Sequence, residues 1–96
     1  MKRRNDLTLK EALEAMLREY RLDGRLKEWK AQAAWHKLMG KTIGVYISRV
    51  RVQKGVLYVA VLSAPLRQEL AFAREKIREL INEEMGEDYI REVVIR

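Results

Sequence analysis

Apolar residues return every three or four positions over residues 9–20, 26–39 and 66–81, and close to every second position over residues 43–61. The first spacing is that of a helix with one buried stripe, and the second that of a strand with one buried face. The first helix is predicted to begin at Thr8, because Glu11 completes a capping box: the Thr8 hydroxyl accepts from the Glu11 backbone N–H, and the Glu11 carboxylate reaches back. Such a cap stabilises a helix by about 1 kcal/mol. Leu9, Leu13, Met16, Leu17 and Tyr20 form its stripe, and Asp23-Gly24 ends it. A second helix is expected from Arg25 to Met39, burying Leu26, Trp29, Ala33 and one of Trp35 and His36. Gly40 fits the left-handed residue just past its end.

The strand expected over Thr42–Val52 contains a phase defect. Ile43, Val45 and Ile47 alternate on one face, and then the apolar phase flips to Val50 and Val52. An unbroken strand would put Arg49 and Arg51 on the buried face, and two unpaired buried guanidiniums would cost several kcal/mol. A bulge near Ser48 restores the phase at lower cost and turns both arginines outward. Lys54-Gly55 then makes a two-residue hairpin turn, with Gly55 at positive φ. That register pairs Gln53 with Val56, Val52 with Leu57, Arg51 with Tyr58, Val50 with Val59 and Arg49 with Ala60. Ser63 caps a third, long helix, with Pro65 tolerated in its first turn. Leu66, Leu70, Ala73, Ile77, Leu80 and Ile81 give that helix its apolar face, and Gly86 ends it. Ile90–Ile95 is the last strand. The order α-α-β-β-α-β defines an α+β fold, a three-stranded sheet with helices packed on one face.

At 96 residues the chain has room for one core. We read residues 1–7 as a flexible basic arm and 8–96 as a single domain. The net charge is +6, unevenly spread: residues 1–55 carry 14 Lys/Arg and 6 Asp/Glu, residues 56–96 carry 6 and 8. Between Glu28 and Glu69 there is no acidic residue, while Lys30, Lys37, Lys41, Arg49, Arg51, Lys54 and Arg67 lie there. A cationic block around a hairpin suits a polyanionic partner, against the plainer reading of chance clustering on an ionic surface. There is no cysteine, which excludes disulfides, thiolate metal ligands and thiol nucleophiles. With no apolar leader after the charged N-terminus and no run long enough to span a bilayer, the expected location is cytoplasmic, away from any membrane.

Catalytic chemistry has little to stand on. His36 is the one histidine, and no second His or Cys completes a metal site. Glu83-Glu84 and Glu87-Asp88 cluster at a helix end, where a solvated loop is the commoner explanation than a divalent ion. Ser48 and Ser63 lack a base in the pattern. Gly40-Lys41-Thr42-Ile43-Gly44 lacks the phosphate-loop spacing and leads into a strand. No enzyme, cofactor, metal or small-molecule substrate is expected. Nucleic acid fits better: Lys37, Lys41, Arg49, Arg51, Lys54 and Arg67 attract phosphate, and Tyr58 or Trp35 can stack an unpaired base. Buried packing is the more frequent use of helical tryptophans such as Trp29 and Trp35.

The runs W-H-K-L-M-G at Trp35–Gly40, K-G-V-L-Y-V-A-V at Lys54–Val61 and S-A-P-L-R-Q-E-L at Ser63–Leu70 resemble the bacterial DciA-like family. The ending, with N-E-E-M-G up to Gly86 and a short β segment, is similar too. The resemblance implies a fold similar to a type II KH domain, binding of single-stranded or duplex DNA, and contact with the replicative helicase during its loading at replication initiation. Loaders of that family often carry a tail beyond this domain, whereas this sequence stops at Arg96, and the G-x-x-G clamp of KH domains is absent. Two alternatives stay open: an adaptor using Val56, Tyr58 and Leu62 as a protein-binding surface, and a binder of structured RNA.

Overall fold

The computed structural model describes residues 2–19 and 23–96; the side chains of residues 2–7, Leu17 and Asp23 lie outside what it describes. The elements are α1 (Lys2–Glu19), α2 (Asp23–Gly44), β1 (Ile47–Gln53), β2 (Val56–Val61), α3 (Ala64–Phe72), α4 (Arg74–Met85) and β3 (Glu92–Ile95). The sheet order is β1-β2-β3. β1 and β2 are antiparallel, as a tight hairpin must be, and β3 returns parallel to β2 after the crossover through α3 and α4.

The hairpin has the expected register at all five pairs from Arg49↔Ala60 to Gln53↔Val56, and the ladder shifts between Ile47 and Arg49, where Ser48 is the extra residue. Lys54 and Gly55 take φ 50 and 81, so both central residues of the turn are left-handed. Glu28 on α2 accepts from the Lys54 backbone N–H at 3.1 Å, and the Arg91 N–H donates to the Gly55 carbonyl at 2.8 Å. The turn is thus held by α2 on one side and by the approach to β3 on the other.

One face of the sheet is apolar. Val52, Leu57, Val59, Val61 and Val93 are buried there, with Ile47, Val50 and Ile95 packed against them. Above them lie Ala31, Ala34 and Trp35 of α2, Leu70 of α3, and Ile77 and Ile81 of α4. Each large aliphatic buried in this way stabilises the fold by about 1.5–3 kcal/mol. Ser63 caps α3 by accepting from the Leu66 N–H at 3.3 Å, and Gly86 ends α4 at φ 77.

Several elements depart from the sequence expectation. Helix α1 is continuous from Lys2, through the segment read as an arm and past Thr8. Its Leu9, Leu13 and Met16 are exposed, and the element it meets among the described residues is α2; Tyr20 and the Leu17 side chain lie outside the described residues. Asp23-Gly24 opens α2 and does not close α1. Gly40 does take positive φ (73, ψ −174), but helix resumes for Lys41–Gly44, so β1 starts at Ile47 and not at Thr42. The bonds Val45 N–H to Lys41 O and Tyr46 N–H to Ile43 O take up the backbone that was expected to be strand. The third helix breaks at Ala73, whose N–H is shared by the carbonyls of Glu69 and Leu70.

The last strand begins at Glu92 because Ile90 is already engaged. Asn82, buried on α4, accepts from the Ile90 N–H at 2.7 Å and donates to the Ile90 carbonyl and to Asp88, both at 2.9 Å. Trp29, expected inside, is 65% exposed, while Trp35 is 1% exposed. No helix among the described residues is long and apolar enough to cross a membrane, and no cluster of His, Asp or Glu among them is arranged to hold a metal ion.

Candidate nucleic-acid interface

The pleat sends alternate residues to the face of the sheet opposite the helices. Partners in the two ladders share a face, so the outer surface has rows across it. One row is Arg51, Tyr58 and Val94; another is Gln53, Val56 and Glu92. A third joins Arg49 and Ala60 to Arg96, which continues β3 by donating its N–H to the Val59 carbonyl and accepting from the Val61 N–H, both at 2.8 Å. The bulge at Ser48 makes this possible. It absorbs one residue, so Ile47 and Val50 face the core while Arg49 and Arg51 face solvent.

Arg49, Arg51, Tyr58, Ala60 and Arg96 line a hollow of ≈ 240 Å³. The guanidinium carbon of Arg96 lies 5.1 Å from the Tyr58 ring centroid, and that of Arg51 lies 5.8 Å from it. Both fall within cation–π range, which holds the ring and the two cations in one cluster. Arg51 also donates to Gln53 Oε1 at 2.7 Å, a neutral partner that fixes the side chain without discharging it. Among the described residues, no ion pair involves Arg49, Arg51 or Arg96; the pairs present are Lys27–Glu87, Lys37–Glu84, and Arg78 with Glu75 and Asp88. Burial pushes the Tyr89 phenol above its ordinary 10.0, at the turn end of the sheet beside Gly55 and off this cluster.

The remaining sequence candidates are dispersed. Lys54 sits on the turn and Lys41 on the exposed helical turn after Gly40. Lys37 is on α2 and bonds Glu84 of α4 at 2.7 Å, in the helical layer. Arg67 is half-buried on α3 and donates from Nη2 to the Val61 carbonyl at 2.9 Å, stapling α3 to β2. Trp35 is in the core and has no face to offer a base. Val56, considered above for a protein surface, falls on the outer face by register but is only 6% exposed there. Arg96 was missed by the sequence reading. Outward parity follows once Val93 is known to face inward, but no local signal says beside which strand the last segment lies.

Fold and surface together define a class: an α+β domain whose helices cover one side of a three-stranded sheet and leave a cationic, aromatic-bearing face on the other. Residues 8–95 match the model of the family described as Dna[CI] antecedent, DciA, and this chain belongs to that family. No curated protein and no solved structure matches it. The family implies a replication-related role, as a helicase loader or accessory and not as a known enzyme.

Proposed function

We propose that this chain is a non-enzymatic DNA-binding accessory module of replication, acting in the cytoplasm in contact with the replicative helicase, and that DNA lies on the outer face of the sheet. The observation that carries this reading is that Arg51 and Arg96 flank the Tyr58 ring, with Arg49 lining the same hollow, and none of the three has a carboxylate partner among the described residues. Like charges held this close repel one another, and a phosphate backbone relieves that repulsion while releasing its own counterions. A planar ring beside them offers stacking that accepts any base. The family supplies the replication context and the expectation of a helicase partner.

The test is a DNA titration across a salt series. Engagement of about four phosphates gives a slope of log K against log salt near −3 for a single strand. Arg49→Glu combined with Arg51→Glu is expected to abolish most of the affinity with little change in melting temperature, since both side chains are in solvent. Absence of binding by the wild type at low salt would overturn the reading. Capture of purified helicase that survives nuclease treatment tests the protein contact independently.

A further inference from the structure

We infer that the same face holds a second base-binding station at Tyr46, so that its ligand is single-stranded DNA running past two aromatic rings. This rests on the DNA reading above and adds a residue and a strand state to it. The Leu62 N–H donates to the Tyr46 carbonyl at 2.8 Å, which carries the antiparallel pairing one step beyond Ile47↔Val61. Tyr46 therefore stands opposite Leu62. The two share the face of Ala60 and Tyr58, because Val61 and Ile47 between them turn toward the core. Both are uncovered: Tyr46 is 49% exposed and Leu62 is 66% exposed. Leu62 lies four residues from Tyr58 along the chain, about 13 Å at the usual rise of a strand.

Between the two rings lies the row of Arg49, Ala60 and Arg96. The small side chain at Ala60 leaves the hollow open there, and the guanidiniums flank it. The succession is ring, cations, ring. An unpaired strand matches it, with bases laid on the tyrosines and phosphates on the arginines. A duplex keeps its bases stacked inside and meets only the cations. A protein segment would use Tyr46 and Leu62 but gain nothing from their continuity with the arginine row.

The experiment compares oligo-dT with a duplex of equal phosphate number at one salt concentration, using Tyr46→Leu, Tyr46→Phe and Tyr58→Leu in the full chain. Loss of one stacked base weakens binding by about 5- to 150-fold. Tyr46→Leu is therefore expected to lose that factor for oligo-dT, to lose less than about two-fold for the duplex, and to keep the salt slope, since no phosphate contact is removed; Tyr58→Leu loses at least that factor for oligo-dT and weakens the duplex as well, because its ring also holds Arg51 and Arg96. Tyr46→Phe keeps its affinity. Unchanged oligo-dT binding by Tyr46→Leu, or an equal loss for both ligands, overturns the second station, while the Arg49/Arg51 double variant still reports on DNA binding itself. Helicase capture lost by Tyr46→Leu with oligo-dT affinity intact also overturns it.

Discussion

Gly55 carries two constraints at once. Its φ of 81 is costly for any residue with a Cβ, and an added Cβ would sit 3.1 Å from the Tyr89 carbonyl oxygen. Gly55→Ala is expected to cost about 1–2 kcal/mol, from the left-handed backbone plus the displaced approach to β3; equilibrium urea denaturation reads this directly. Asn82 is the other residue on which much depends. Its amide satisfies both the N–H and the carbonyl of Ile90 in the interior. Asn82→Ala strands two buried backbone groups, and a loss of about 2–4 kcal/mol is expected by the same measurement. Nothing in the sequence distinguishes Asn82 from an ordinary polar residue near a helix end, since its partner lies across a loop.

The hairpin was the most legible element, because its determinants are local. Turn chemistry at Lys54-Gly55 set the register, and the conflict between apolar phase and two arginines located the bulge. Long-range choices were not legible. Whether the stripe of α1 or the ring of Trp29 is covered depends on where α2 leaves room, and α2 spends its buried side on Ala31, Ala34 and Trp35. Of the candidate site, Arg49, Arg51 and Tyr58 came from parity within one hairpin, whereas Arg96 required the crossover to β3. The bulge itself predicts an outcome. Deleting Ser48 leaves Ile47 facing Val61 and Arg49 facing Ala60, so every other pair is kept. The loss is then confined to the Ser48 Oγ to Ala60 carbonyl bond at 3.3 Å, roughly 1 kcal/mol or less. A collapse of stability on deletion would show that the bulge does more than keep the phase.

Taken as a whole, the molecule pairs some of its helical cations with carboxylates and leaves the outer arginines of the sheet without them among the described residues. Lys37 and Glu84 pair across α2 and α4, while the arginines of the sheet stand without carboxylates among the described residues. Lys37→Ala removes one unit of formal charge, as Arg49→Ala does from the sheet face. It is nevertheless expected to change DNA affinity by less than about three-fold at moderate salt, where charges beyond about 10 Å are largely screened. A loss as large as that of the Arg49/Arg51 double variant would place the polyanion on the helical side instead.

The contrast between the two indoles has a consequence for spectroscopy. One is sealed beneath the sheet and the other stands in water on α2. Their emission is accordingly a sum of a blue and a red component, and a collisional quencher reaches only the red one while the protein is folded. Denaturation moves the blue component alone, so intrinsic fluorescence follows the integrity of the core with Trp29 as a constant background.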